Sequence, residues 1–287
     1  MTGIRRVSRV FKSQPTIEGA GVRLKRAFGY HQVPLLDPFL LLDDFHSDNP
    51  DDYMAGFPSH PHRGIETVTY MLHGSVEHAD SIGNKGVIQS GDVQWMTAGS
   101  GIIHSEMPQK QQGELRGFQL WVNLPAAHKM MPPRYREVKQ EQIPEISMNK
   151  GVKIKILCGE AAGTRGPVRD IVVDSQYLDV TVPRKTKFEF PVKDEYTAFA
   201  YIVSGAGYFD AEKKHLANED HLVIFTSGDR IKITALDQPL RFLLVSGQPI
   251  KEPVAWHGPI VMNTQEEIRI AFEEFQKGTF IKDGAAP

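Results

Sequence analysis

Short runs rich in Val, Ile, Thr, Tyr and Phe, cut at close intervals by Gly and Pro, constrain the fold of this chain more than any other feature. Residues 67–72, 93–97, 118–124, 152–157, 199–203, 221–225 and 241–245 are such runs. Each is too short for a stable helix and carries side chains that suit a pleated, half-buried surface. Strand follows strand over most of the chain with no helix between. That order excludes a doubly wound parallel sheet and predicts an all-β fold of antiparallel barrels or sandwiches. No Gly-rich nucleotide loop occurs in a strand–helix setting. One short helix is expected near the C-terminus. Thr264 and Glu267 form a capping box, Ile268, Ala271, Phe272 and Phe275 make an apolar stripe at i, i+3, i+4 and i+7, and Gly278 supplies the stop.

The chain has 287 residues, enough for two domains. Met131-Pro132-Pro133 and the polar stretch 134–142 read as a linker, which places the domains at 1–131 and 132–287. The two halves echo each other. Tyr70-Met71-Leu72-His73-Gly74 matches Tyr201-Ile202-Val203-Ser204-Gly205, and Thr97-Ala98-Gly99 matches Thr226-Ser227-Gly228, at offsets of 131 and 129 residues. A duplicated β-domain accounts for both matches.

Composition removes several classes of function. Hydrophobic residues at 40% and charged residues at 24% are ordinary globular values, which rules out wholesale disorder. Lys and Arg total 33 against 35 Asp and Glu, so no surface built to neutralise phosphates, and no direct nucleic-acid binding, is expected. One cysteine, Cys158, excludes an internal disulfide and a Cys-rich zinc site, and suits a reducing compartment. Apolar runs such as 39–42 are too short to span a bilayer, and the basic start of the chain lacks a secretory apolar stretch. A cytoplasmic protein without a membrane partner is expected, with the nucleus open to it if the source is eukaryotic.

Chemistry concentrates at two strings. His60-Pro61-His62 and His104-Ser105-Glu106 repeat strong ligand types at i and i+2. On a strand those positions share one face, so each string can aim two ligands into one cavity. Pro61 favours an extended backbone at His60. If the two strands meet, three imidazoles and a carboxylate suit a divalent first-row metal, with two octahedral positions left open for catalysis. Glu66 shares the parity of His60 and His62 and is a rival fourth ligand. Arg63 and Glu66 are candidates for supporting the ligands from behind. The other histidines, His78 and His257 among them, sit in no such pair and are expected to be ordinary polar residues.

These residues lie in longer strings. Residues 56–68 (GFPSHPHRGIETV), 91–99 (GDVQWMTAG), 104–108 (HSEMP), 119–124 (QLWVNL) and 257–264 (HGPIVMNT) resemble the signatures of the pirin family within the cupin superfamily, and the similarity runs nearly the whole length of the chain. The resemblance implies two jelly-roll-type cupin barrels face to face, with one metal in the N-terminal barrel. It implies the ligand set His60, His62, His104 and Glu106, favouring Glu106 over Glu66, which cupins at large would use. The metal it implies is a single divalent ion, Fe(II) before Ni, Co, Cu, Mn or Zn. The function it implies is a quercetin 2,3-dioxygenase-like oxidoreductase that cleaves a flavonol with O2, Glu106 serving as the base. The alternative is a metal- or redox-sensing regulator that binds a protein partner, as a transcriptional coregulator does, without physiological turnover. Phe57, Trp95, Met107, Gln119 and Trp121 are candidates for lining a pocket that takes a small aromatic substrate and O2. Counting back from Gly205 as the His pair counts back from Gly74 reaches Pro191 and Lys193, and the later ligands would fall near 231–235, which hold no His or Glu. The second barrel is therefore expected to hold no metal.

Overall fold

The computed structural model describes residues 3–110 and 113–282. Among them strands dominate, with one α-helix, α1 (Gln265–Gln276), and several single-turn 3-10 helices. The strands up to residue 138 are β1 (Val7–Lys12), β2 (Gln14–Glu18), β3 (Val22–Phe28), β4 (Phe39–Ser47), β5 (Phe57–His62), β6 (Ile65–His73), β7 (Val76–Asp80), β8 (Lys85–Ile88), β9 (Val93–Thr97), β10 (Ile102–Pro108), β11 (Leu115–Asn123) and β12 (Arg134–Val138). All seven runs singled out in the sequence are strands, each within about three residues of the expected ends.

Two compact units form. One comprises Met1–Gln14 and Glu141–Pro249, the other Pro15–Gln140 and Ile250–Pro287. The sequence suggested one break, after Met131. In the structure the main-chain division falls at Gln140/Glu141, and each unit takes in a terminal segment from the opposite end of the chain. The stretch read as a linker contains β12, which pairs antiparallel with β9 from Arg134↔Thr97 to Val138↔Val93. Its sequence, RYREV, has the charged character of an edge strand and so lacks the apolar signal of an inner one.

The unit containing 15–140 has a seven-stranded sheet in the order β12-β9-β6-β11-β4-β3-β2 and a four-stranded sheet in the order β5-β10-β7-β8. The other unit repeats the plan. Its seven-stranded sheet runs β1, His221–Phe225, Thr197–Ser204, Leu240–Gly247, Ser175–Val182, Lys153–Cys158, Glu145–Ser147, and its four-stranded sheet runs Lys187–Pro191, Arg230–Ala235, Ala206–Tyr208, Leu216–Asn218. Matched by position, β6 corresponds to Thr197–Ser204, the pair that carries the Tyr-x-x-x-Gly echo. β5 and β10, which carry the ligand strings, correspond to Lys187–Pro191 and Arg230–Ala235. There the buried side chains are Phe188, Phe190, Ile231, Ile233 and Ala235, members of one continuous hydrocarbon core. Each such side chain contributes about 1.5–3 kcal/mol by burial, so this barrel is filled with packing.

The C-terminal helix forms as expected. Thr264 Oγ1 accepts from Glu267 N, and Glu267 Oε2 accepts from Thr264 N. Ile268 and Ala271 are buried with Ala255, Ile260, Met262 and Phe280, while Phe275 stays 40% exposed. The segment before the helix returns to the turn after β5. Gly64, at φ +78°, permits this approach, because a Cβ there would lie 1.9 Å from Val261 O. Lys129, buried, clamps the same junction. Its Nζ donates to Gly64 O (2.9 Å), Asn123 Oδ1 (2.7 Å) and Val261 O (2.9 Å). All three acceptors are neutral, and burial pulls the ammonium down to about 7, against the distant pull of Glu267 and Glu252. Lys129→Met should destabilise the protein by about 3 kcal/mol in urea denaturation, because three buried acceptors lose their donor. Unchanged stability would show that the clamp is dispensable.

Candidate metal centre

β5 and β10 pair antiparallel, with His104 directly opposite His60 and Ile102 opposite His62. The pleat then does what the i, i+2 spacing predicts: His60 and His62 share a face, and His104 joins them from the neighbouring strand. One ligand atom from each of the three lies within 4.8 Å of the others. His60 Nε2 is 3.1 Å from His62 Nε2 and 3.0 Å from His104 Nε2.

Backbone carbonyls set the tautomers. His60 Nδ1 lies 2.8 Å from Pro58 O, and His62 Nδ1 lies 3.1 Å from Pro259 O. A carbonyl only accepts, so both Nδ1 atoms carry the proton and both Nε2 atoms present lone pairs. Two lone pairs 3.1 Å apart repel each other, and a cation between the rings removes that repulsion. Protonation is a poor substitute. Burial, reinforced by neighbouring His60, holds His62 down at about 3. Burial first, then His62, His60 and His78, holds His104 well below the usual imidazole range. The residues present fit a metal ion: three convergent imidazoles, burial that keeps His62 and His104 from protonating, and backbone acceptors fixing the His60 and His62 rings from behind.

The other candidates sort as follows. Glu106 lies on β10 beside His104 but outside the three-histidine cluster. Its Oε1 accepts from Thr69 Oγ1 (3.1 Å) and its Oε2 from Gln119 Nε2 (2.9 Å). Glu66 faces Thr97 across β6 and β9, its Oε1 accepting from Thr97 Oγ1 at 2.7 Å. Burial pushes it up, against hydrogen bonds from Thr97 and Trp95. Arg63 turns away from the histidines. It pairs with Glu274 of α1 (2.7 Å), donates to Phe280 O (3.0 Å) and lies over the Phe280 ring.

A pocket of about 730 Å³ opens over the cluster, with His60 and His62 in its wall. Phe57, Gln119 and Trp121 line it as the sequence suggested; Trp95 and Met107 do not. Trp95 is buried in its sheet near Glu66, and Met107 packs where Gly56 leaves room. Trp121 stands edge-on to His62, with centroids 5.0 Å apart. Its Nε1 donates to Gln119 Oε1 at 3.0 Å. An indole nitrogen only donates, which fixes the Gln119 amide with its NH2 toward Glu106.

Several lining residues carried no signal in the sequence. Trp256 stands 5.8 Å from Trp121 and 5.6 Å from Tyr30, ring to ring. His257 and Pro259 also line the pocket, from the 257–264 string. In the same sheet Asp43 pairs in register with Gln119 and with Arg26, which forks onto it (2.8 and 2.7 Å) and bonds Glu18 (2.8 Å). Burial pushes Asp43 up to about 6 in spite of Arg26. His78, expected to be ordinary, is buried opposite Glu106, with its ring 5.3 Å from His104 and its Nε2 3.0 Å from Asp80. His78-Ala79-Asp80 repeats the i, i+2 spacing and was the available clue.

Two cupin units, one bearing a three-histidine cluster at a pocket and one packed with hydrocarbon, define a bicupin with one candidate metal centre among the described residues. The Pirin family profile matches residues 21–122, and that of the Pirin C-terminal cupin domain matches residues 177–281. A pirin-like protein of Caulobacter vibrioides is 47% identical over 282 residues, covering 96% of this chain and 99% of its own. Pirin-1 of Arabidopsis thaliana is 43% identical over 262 residues, covering 90% and 88%. A crystal structure of quercetin 2,3-dioxygenase from Acinetobacter baumannii matches with a TM-score of 0.90 at 32% identity, covering 98% of this chain and 100% of that one. The chain belongs to the pirin family. Among the described residues no helix is long and apolar enough to cross a membrane.

The buried imidazoles make the metal-free protein sensitive to acid. Unfolded His62 takes up a proton near pH 6.5, whereas folded His62 does so only near 3. Stability therefore falls as pH drops below 6.5. Asp43, raised to about 6, acts in the opposite direction, so the test is a difference. In chelated protein, the stability of wild type relative to His62→Gln should fall by about 2 kcal/mol between pH 7 and pH 5. A difference independent of pH would show that His62 is not held neutral.

Proposed function

We propose that this chain is a metal-dependent dioxygenase that cleaves a flavonol such as quercetin with O2, and that His60, His62, His104 and Glu106 form its metal-binding set. The observation that carries the reading is the convergence of three imidazoles, two of them in the wall of a 730 Å³ pocket. Small-molecule sites typically enclose about 300–1,000 Å³. A structural metal would need no such opening. The likeness to the Acinetobacter protein named quercetin 2,3-dioxygenase points the same way. Bound there, a divalent first-row ion, iron foremost, would supply Lewis acidity and one-electron chemistry.

The chain's own residues supply the rest. Trp121, Trp256 and Tyr30 offer flat apolar faces to a planar aromatic ring. Glu106 is the base that accepts the flavonol 3-hydroxyl proton. Thr69 and Gln119 hold its two oxygens, and Trp121 holds Gln119, so the wall that receives the substrate also fixes the base. Glu18 and Asp43, around Arg26 in the pocket lining, accept hydrogen bonds from phenolic hydroxyls and repel carboxylates.

Oxygen uptake with quercetin, on protein reconstituted separately with Fe, Ni, Co, Cu, Mn and Zn, tests the assignment. No uptake with any metal, together with partner binding that follows the metal's oxidation state, would transfer it to the regulatory alternative. Glu106→Gln keeps an oxygen ligand and loses the base. It should retain substantial metal and lose turnover by about 10²-fold or more. Equal activity at equal metal content removes Glu106 from the mechanism. Elemental analysis should find at most one tightly held metal per chain. A second equivalent, lost on changing residues in 141–249, would contradict the hydrocarbon filling of that barrel.

A further inference from the structure

Beside Glu106 lies a second, much smaller void of about 20 Å³. Val22, Phe45, Val76, Pro108 and Leu115 make its walls almost wholly hydrocarbon. Four of these belong to one buried cluster. The polar residues at its edge, Thr69 and Glu106, bond each other, and the second Glu106 oxygen is taken by Gln119. The void has room for one water-sized molecule, which needs about 10–15 Å³. A buried water also needs about three hydrogen-bond partners, and apolar cavities instead stay dry and admit guests such as xenon. Phe57 forms a wall of both this void and the large pocket, so one ring stands between them. That ring is packed closely from outside, since a Cβ on Gly19 would lie 2.7 Å from its Cδ1.

We propose that this void is a binding site for an apolar diatomic gas, and that its occupant is dioxygen held next to the candidate metal centre. The identity of the guest rests on the dioxygenase reading; the existence of the site does not. An apolar guest gains from hydrocarbon walls that exclude water, and Glu106 puts the void on the same strand as His104.

Crystals pressurised with xenon, or with the smaller krypton, should show one noble-gas atom against Val22, Val76 and Leu115. Its absence there overturns the site. Leu115→Phe fills the void, and Val22→Ile does so more gently should the first variant fold poorly. Either should exclude the noble gas and raise KM for oxygen by about fivefold or more, with metal content and KM for quercetin unchanged. An unchanged KM for oxygen in a variant that excludes the gas overturns dioxygen as the occupant. So does a variant that alters only inhibition by carbon monoxide, the product expected of flavonol cleavage. Wild-type protein that binds the noble gas but takes up no oxygen with any metal defeats the dioxygenase reading, and the dioxygen assignment with it, by a separate measurement.

Discussion

Two backbone carbonyls govern the chemistry of this protein. Pro58 O and Pro259 O each bind an imidazole Nδ1, and so force the Nε2 lone pairs of His60 and His62 to face each other. Pro58 comes from the ligand strand itself. Pro259 comes from a segment 197 residues beyond His62. The candidate metal centre therefore requires the chain to return after its second barrel and reach the first. The rest of the unit secures that return: Gly64 yields the space, Lys129 binds both sides of the junction, and the capped helix buries Ile268 and Ala271 against the returning strands.

The two barrels show what a site costs. Their sheets share one strand order, yet the positions that hold His60, His62 and His104 on β5 and β10 hold Phe188, Phe190 and Ile233 in the other unit. Hydrocarbon there gains burial energy and raises no question of satisfaction. The histidine barrel instead gathers buried polar groups that must be hydrogen-bonded or paired with a cation. Duplication allows this division, because one copy can be packed for stability while the other carries strain.

Much of this was legible in the residues, for identifiable reasons. The strands were legible because β-branched runs between Gly and Pro have few other solutions. The histidines were legible because i, i+2 parity on a strand is a local property; counting along the repeat reached Pro191 and Lys193, whereas the strand register matches the histidine pair to Phe188 and Phe190. What escaped is non-local or chemically plain. β12 looked like a linker because an edge strand needs no apolar alternation. The roles of Trp256 and Pro259 depend on the returning chain. Arg26, Asp43 and Glu18 are ordinary charged residues until three strands bring them to one wall. Arg63 looked like a ligand support from its place next to His62, but successive strand residues face opposite sides, and its side chain serves the helix.

The charge pattern of the pocket bears on which form of a substrate enters. Among the described residues that line it, Arg26 is the one guanidinium or ammonium, and it is already bound to Asp43 and Glu18. His62 is neutral across the physiological range. The chain itself thus offers an incoming anion no free positive charge, while two carboxylates line the approach. A group that enters uncharged meets Glu18 and Asp43 as hydrogen-bond acceptors. Glu106 is not part of that lining; it is tied to it through Gln119, which donates to its Oε2, while Thr69 holds Oε1. The arrangement of charge that disfavours an incoming anion therefore sits in the same sheet as Gln119, the residue that ties Glu106 to the lining.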